Sequence, residues 1–558
     1  MKKSNISFIQ TDDKATERTG LTFKCKGKAT RDGTKFKGRN VELRDHQKYI
    51  RDYFLKEIYD KKDKNRRGLI AYHGLGSGKT CLVYGILDAI YDKYKTTGED
   101  IPNVHWFGPG ALRGASVNEY CDVCGEHPDM MSSGYDGQTG LHYYASNYTS
   151  LKRTVPDDLD DSYIVIDEAT SIANGKRNGS AQASYLYDLI YYSKRTYIIL
   201  LTGTPIAKDP RDMYYLVNLV KPNEFKDVED FKTYYSGDGV SKDLEIVNEE
   251  KLKKKLKGCI SYFKRTDDMP TYEVKYPVLT LPYHQKRYHN KRYESENIQI
   301  TIVPDPTKLT PVAFLAAMTR WYLAKSRVQS INATLFALPS AIQGMLDEDN
   351  EKVKGKPPSP PDWINKPEHL GGWFTGETFL HLNNELSIKF AVLIKDIIQT
   401  EGKCAVYTYY RNRGGAELLK NMLNYIGIKT IAFMGGMNDT KRSETLSIFN
   451  SESNVNGEMI KCFIYTSAGT EGISLMAVRK LYILDGGSLN ETEIMQAIGR
   501  AIRFKSHVSL PKTKRNVIVY RLLCENGGDF DVFKTGTKKY SQLIKFLDLM
   551  QDASIENI

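Results

Sequence analysis

The stretch Ala71-Tyr72-His73-Gly74-Leu75-Gly76-Ser77-Gly78-Lys79-Thr80 organises the rest of the chain. A short apolar run, Leu69 to Tyr72, leads into it, and an amphipathic segment with Val83, Ile86, Leu87 and Ile90 on one face leads out. Strand, glycine-rich turn and helix is the arrangement in which backbone N–H groups wrap phosphates at a helix N-terminus. In such a loop Gly74, Gly76 and Gly78, with Ser77 between the last two, let the backbone approach closely. Lys79 then reaches the terminal phosphates and the Thr80 hydroxyl ligates Mg²⁺. The sequence departs from the usual GxxxxGK[ST] at its first position, where His73 replaces glycine. Taken alone, the loop predicts a bound nucleotide and leaves its use open.

Outward from this loop, residues 41 to about 225 alternate short apolar runs with amphipathic segments, the pattern of a parallel sheet covered by helices. The runs are Leu69–Tyr72, Val104–Phe107, Tyr163–Ile166 and Tyr197–Leu201. A second region of the same kind spans about 386 to 525, with strand candidates 404–409, 430–433, 462–465, 480–484 and 517–522. The expected architecture is therefore α/β, with two parallel-sheet lobes. Residues 226–385 read as a bridging insert, mostly helical, carrying the lysine cluster Lys251–Lys257 and a Pro-Pro-Ser-Pro-Pro linker at 357–361 that forbids regular structure locally. Residues 1–40 read as a basic N-terminal arm and 526–558 as a helical C-terminal tail. The arm either touches phosphates or is a solvated tail.

At 558 residues the chain exceeds a single core. It is 41% hydrophobic and 26% charged, and holds no apolar run of the ~18 residues a membrane span needs, so no membrane role is expected. The first ten residues lack the apolar core of an export signal. Eight scattered cysteines fit a reducing, intracellular compartment better than a disulfide framework. A formal net charge of +11 favours a polyanionic partner such as nucleic acid.

Further chemistry sits at strand ends. Tyr163-Ile164-Val165-Ile166 runs into Asp167 and Glu168. Beside a phosphate loop the first acid holds Mg²⁺ and the second takes a proton from the water that attacks the γ-phosphate. The next apolar strand ends in Thr202-Gly203-Thr204-Pro205, whose hydroxyls are placed to hydrogen-bond the acid pair and relay nucleotide state onward. Ahead of the first strand, Leu43-Arg44-Asp45-His46-Gln47 offers a glutamine amide to an adenine edge, or is simply a polar helix start. In the second lobe, Gln496 to Arg503 puts Arg500 and Arg503 three residues apart on one side of a helix, where guanidinium groups stabilise a transferring phosphoryl or pair with surface acids. The loop from Thr466 to Ile473, with Ser467, Gly469, Glu471 and Gly472, has the small and hydroxyl residues that let a phosphate backbone come close.

These elements in this order resemble the superfamily 2 helicases and translocases, with two RecA-like lobes. Lys79 and Thr80 match motif I, Asp167 and Glu168 motif II, Thr202–Pro205 motif III, Ser467–Ile473 motif V, and Gln496–Arg503 motif VI. Leu43–Gln47, Ser387-Ile388-Lys389 and the run from Arg442 to Phe449 resemble features of the Swi/Snf-type branch. A finer similarity, carried by Gly469–Ser474, Arg500–His507 and the tail around Ala553-Ser554-Ile555, is to the ATPases of large cytoplasmic DNA viruses. Those are of the poxvirus nucleoside triphosphate phosphohydrolase I and early transcription factor kind, with linear-plasmid helicases nearby. The resemblance implies an ATP- and Mg²⁺-dependent motor on DNA, most naturally duplex DNA. It also implies a part in viral transcription with an RNA polymerase or transcription factor subunit as partner, in the virion or host cytoplasm. A strand-separating helicase and an ATP-gated clamp are the competing readings; no nuclease motif is present. Motif II departs from the DEAH type by ending in Thr170.

Two other groups invite weighing. Cys121, Cys124 and His127 have zinc-like spacing but no fourth ligand at finger spacing, so no zinc site is expected. The aromatic and basic run Tyr283–Tyr293 either stacks on bases or is a charged bridging helix.

Overall fold

The computed structural model describes residues 21–22, 42–61, 65–74, 77–98, 103–108, 124–126, 141–145, 158–206, 209–237, 242–263, 269–301, 387–411, 415–435, 439–466, 473–485, 491–503 and 505–557. The chain divides into two units, Met1–Thr266 with Lys539–Ile558, and Asp267–Lys538.

In the first unit the strands are β1 (Leu21–Thr22), β2 (Gly68–His73), β3 (Val104–Gly108), β4 (Leu141–Ala145), β5 (Tyr163–Ile166) and β6 (Tyr197–Thr202). A small hairpin of β7 (Tyr235–Ser236) and β8 (Glu245–Ile246) precedes β9 (Ile260–Phe263). The main sheet runs β1-β4-β3-β5-β6-β2-β9, parallel throughout except for β1 against β4. Its two faces serve two cores. Ile70, Ile164, Ile166, Ile198 and Leu200 pack on one side, while Leu69, Ala71, Val165, Ile199 and Leu201 pack on the other. Burial of alternate residues on both faces is why each strand reads as a continuous apolar run. Helix α1 (Asp45–Tyr53) and helix α2 (Lys79–Thr97) cover the second face, and close approach is allowed by Gly85, where a Cβ would meet Leu43 at 2.5 Å.

In the second unit β10 (Thr271–Lys275), β12 (Lys403–Tyr407), β13 (Thr430–Phe433), β14 (Cys462–Tyr465), β15 (Val478–Ile483) and β16 (Asn516–Arg521) form an all-parallel sheet in the order β10-β16-β15-β12-β14-β13. A short parallel pair, β11 (Val278–Leu279) with β17 (Leu523–Cys524), stands apart from it. The same two-sided burial recurs: Cys404, Val406 and Ile464 face one core, and Ala405, Tyr407 and Phe463 the other.

The expected parallel-sheet α/β fold is present in both units. All nine predicted strands form, with ends shifted by two residues at most. Four further main-sheet strands, β1, β4, β9 and β10, were not anticipated. Residues 226–263, grouped by sequence with the bridging insert, pack in the first unit: Leu252 and Leu256 of the lysine-rich helix Glu249–Leu256 are buried in its core, and β9 follows directly. Residues 269–301 of the expected insert belong to the second unit and include two strands, Thr271–Lys275 and Val278–Leu279, as well as a helix. Residues 302–385, including the proline run, and most of the N-terminal arm lie outside the described residues. The tail helix runs from Gly528 to Asp552 and from Lys539 onward belongs to the first unit.

Candidate functional site

Parallel order places β6 between β5 and β2, so the loops after these three strands leave neighbouring C-terminal strand ends. Such an edge is where open α/β sheets bind ligands. The loop after β2 is anchored at its start by the Gly74 N–H, which donates to Phe263 O at 2.7 Å. It ends at Gly78, which caps α2 with a left-handed backbone, φ 82°. Glycine is required there twice over, because a Cβ would also lie 2.6 Å from Gln47 Nε2. Lys79 Nζ donates to His73 O at 3.0 Å and Gly74 O at 3.3 Å, which holds its ammonium over the loop. Thr80 stands in the first turn of α2, at the positive end of the helix. Gly76 lies outside the described residues.

Gln47 is both a helix-start residue and a loop contact. Its Oε1 accepts from Arg44 N at 2.8 Å and its Nε2 donates to Gly78 O at 2.8 Å. The amide therefore braces the phosphate loop. His46 joins it, with Nε2 3.3 Å from Ser77 O and its ring stacked on Phe263 at 3.7 Å between centroids. Phe263 was missed in the sequence because it belongs to the unanticipated β9. His73 is buried, and burial, with Lys79 and His46 adding to it, holds its pKa well below the usual imidazole range.

Asp167 follows β5 directly, its N–H bonded to Phe107 O at 2.7 Å, and its Oδ1 accepts from Glu168 N at 3.0 Å. Glu168 has a left-handed backbone, φ 52°. For a residue with a Cβ this costs on the order of 1 kcal/mol and recurs at functional sites. It is held by the next residue, whose N–H donates to Leu201 O at 3.0 Å. The threonines of the β6 turn behave differently from expectation. Thr202 Oγ1 lies 2.8 Å from Thr170 Oγ1, and Thr170 Oγ1 donates to Thr204 O at 2.6 Å. The hydroxyl relay thus runs to Thr170, two residues past the acids, because Thr170 starts helix α3 (Thr170–Arg177) directly beside the end of β6.

In the second unit, helix α4 (Tyr283–Thr301) contains the aromatic and basic run. Gln285 and His289 are buried; Gln285 Oε1 accepts from Ile388 N at 3.1 Å, and His289 Nε2 accepts from Gly528 N at 3.1 Å. Tyr293 OH donates to Asp531 at 2.5 Å. One side of this helix is therefore structural, while Tyr283 is exposed. Helix α5 (Ile388–Gln399) opens with Lys389, which is fully buried and bonded to Asp529 at 2.6 Å and to Leu484 O at 2.5 Å.

Gln496 and Arg500 lie on helix α6 (Glu491–Ala501). Arg503 lies two residues beyond the helix end, so the expected pair on one helical side does not form. The chain turns there because Arg500 O accepts from Leu475 N at 2.8 Å. Arg500 is buried, and Arg503 Nη1 donates to Ser474 Oγ, at the end of the preceding loop. Ser467, Gly469, Glu471 and Gly472 lie outside the described residues. Asp485 was not singled out, although it stands two residues after β15, near a strand end as Asp167 does after β5. It accepts from Thr408 Oγ1 at 2.5 Å and from Tyr409 N, and burial pushes its pKa up to about 6.

The cysteines differ in one respect from expectation. Cys81, in the first turn of α2, is joined to Cys124 by a disulfide, and Cys259, Cys404, Cys462 and Cys524 are buried thiols. Cys124 is thereby taken from the zinc-like trio, whose Cys121 and His127 are outside the described residues. Among the described residues no cluster of three His, Cys, Asp or Glu forms a metal site, and no helix is long and apolar enough to cross a membrane.

Two protein families match the chain: the SNF2-related domain at residues 139–305 and the helicase conserved C-terminal domain at 388–505. The first match covers the acid pair and the threonine turn and begins after the phosphate loop. The second covers Gln496, Arg500 and Arg503. Two proteins of Acanthamoeba polyphaga mimivirus, both provisionally named ATP-dependent RNA helicases, are similar along most of their length. One is 24% identical over 93% of this chain and 98% of the relative; the other is 23% identical over 84% and 81%. Among solved structures, the Sulfolobus solfataricus SWI2/SNF2 ATPase core in complex with dsDNA aligns over 94% of this chain and 99% of its own, at 16% identity and a TM-score of 0.33. The chain carries an SNF2-related domain followed by a helicase conserved C-terminal domain, and it is an ATP-hydrolysing enzyme of helicase superfamily 2.

Proposed function

We propose that the protein is a DNA-dependent ATPase that translocates along DNA, duplex DNA in particular. The observation that carries this reading is the hydroxyl relay from Thr170, two residues after the acid pair, to the β6 turn, which ties the segment holding the hydrolytic residues to a loop outside the phosphate site. The net charge of +11 supports a polyanionic track.

In this reading the loop N–H groups and Lys79 hold the ATP phosphates, and Gln47 fixes the loop from behind. Thr80 and Asp167 offer hard oxygen donors, the set that suits Mg²⁺, and they would hold it. When bound, Mg²⁺ neutralises charge on the phosphate oxygens. Glu168 accepts the proton of the attacking water, and its fixed left-handed backbone orients the carboxylate. Arg500 and Arg503 supply positive charge to the transferring phosphoryl, with Gln496 on the helix that carries Arg500, and Arg503 reports that state to the Ser467–Gly472 loop through Ser474. Ser467, Gly469, Glu471 and Gly472, with Thr202 and Thr204, serve nucleic-acid contact and coupling.

We place this activity in the transcription of a large cytoplasmic DNA virus, with an RNA polymerase as partner. The viral origin of both similar proteins and the sequence likeness of Arg500–His507 support that assignment. RNA is the second reading for the track, favoured by the names those two proteins carry. ATP turnover by the purified chain, measured with duplex DNA, single-stranded DNA and RNA, separates the two. Stimulation by duplex DNA is expected; stimulation by RNA alone would establish the second reading instead.

A further inference from the structure

His73 stands where phosphate loops usually carry glycine, and its side chain is built into a chain of polar contacts that ends in the C-terminal tail. Its Nε2 lies 2.8 Å from Ser261 Oγ on β9. Ser261 Oγ in turn donates to Glu556 Oε1 at 2.5 Å, and the other oxygen of Glu556 accepts from Tyr262 N at 2.9 Å. A hydroxyl that has given its proton to a carboxylate has only acceptor capacity left. His73 Nε2 must then carry the ring proton and donate to Ser261. Nδ1 is left as the bare nitrogen, and among the described residues it has no hydrogen-bond partner. Among the described residues the imidazole is hydrogen-bonded through Nε2 alone, with the His46 and Phe263 rings packed edge-on against it. The backbone carbonyl of the same residue receives Lys79 Nζ at 3.0 Å.

We infer that Glu556 is a positioning residue for the phosphate loop, acting through Ser261 and His73 on the peptide that holds Lys79. The tail is fastened well enough to do this. Ile555 is buried against the α2 side of the sheet, its carbonyl accepts from Tyr49 OH at 3.0 Å, and Asp552 pairs with Lys253 at 3.1 Å. All of these residues lie in the first unit. The same contacts cap the open edge of β9, a purely structural service that edge strands need. The two roles make different predictions. An edge cap acts on stability whatever residue occupies position 73, whereas the relay requires the imidazole.

The test is a double-mutant cycle in the full-length chain: wild type, Glu556→Ala, His73→Gly and the double variant. Each is assayed for ATP KM, kcat and thermal unfolding. Glu556→Ala should raise the KM for ATP about tenfold, the loss of one charge-assisted hydrogen bond, with kcat changed by less than about threefold. In the His73→Gly background the same substitution should change KM by less than about twofold. An equal effect in both backgrounds, or an unchanged KM in Glu556→Ala, would overturn the relay. If Glu556→Ala does not fold, Ser261→Ala replaces it, since that change leaves the Tyr262 bond and Ile555 in place. The inference rests on the phosphate-loop reading. Lys79→Ala with undiminished turnover would sink that reading, while an additive cycle in an active enzyme sinks only the relay.

Discussion

Thr170 closes a ring of hydrogen bonds at the acid pair. It donates to Thr204 O, so Thr202 must donate to Thr170, and Thr204 N–H completes the ring on Thr202 Oγ1 at 3.0 Å. Thr202 is fully buried, so Thr202→Val removes both the acceptor of the Thr204 N–H and the donor to Thr170. The expected penalty is about 1–3 kcal/mol of stability. If the ring transmits nucleotide state, the variant keeps basal ATP turnover and loses most of its nucleic-acid stimulation; a variant stimulated like wild type would reduce the ring to a structural turn. The chemistry itself is tested one strand away. Lys79→Ala and Glu168→Gln should each lower turnover by roughly 10²–10⁴-fold while nucleic-acid binding, measured by fluorescence anisotropy, stays within about threefold of wild type. Retained turnover in both would overturn the site. Asp167 and Thr202 were legible in the sequence because each sits at the end of an apolar run, and Lys79 because it closes the glycine-rich loop after one; both are local patterns. The partner of Thr202 was not, because it depends on β5 and β6 being neighbours in the sheet. Arg503 was misplaced for a similar reason: a contact from Leu475 to Arg500 O, remote in sequence, helps end the helix before it.

At the level of elements, strands buried on both faces announced themselves and the others did not. Val165 and Ile166 point to different cores, so no polar residue interrupts their strand. β10, by contrast, reads Thr-Tyr-Glu-Val-Lys and is largely exposed, and β9 follows a lysine run whose only core residues are Leu252 and Leu256. Charge density hid a helix and strand that belong to the first sheet. The strand end at Asp485 also makes a prediction about pH. Its folded-state pKa is raised from 3.8 to about 6, so between those values the folded chain binds more protons than the unfolded one. Stability contributed by this group is present below the lower value and lost as pH rises through about 6. His507, lowered by burial to about 4, works in the opposite sense over much of the same range, gaining stability as pH rises. The difference between wild type and Asp485→Asn isolates the carboxyl. Relative to wild type, the variant should gain in Tm on going from pH 5 to pH 7.5. An identical shift in both proteins would mean that Asp485 ionises freely.

For the whole molecule, the open question is what the hydrolysis cycle moves. An excess of 11 positive charges, 79 basic against 68 acidic residues, supports contact with phosphates, and displaced counterions then make binding salt-dependent. For about five neutralised phosphates on duplex DNA the log–log slope of affinity against salt is about −4 to −5. A clamp and a motor share that slope, so affinity cannot separate them. Displacement of a third strand can. A triplex-forming oligonucleotide placed downstream on duplex DNA is removed only by a protein that travels, because ATP-gated binding elsewhere on the duplex leaves it seated. Wild-type chain with ATP should displace it at a rate that falls with distance to the triplex, and Glu168→Gln should not displace it although it still binds. If duplex DNA stimulates turnover but the third strand stays in place, hydrolysis resets a clamp and the threonine ring at β6 governs grip rather than stepping. If only a tailed duplex is opened and the triplex survives, the track is a single strand and the enzyme separates strands instead.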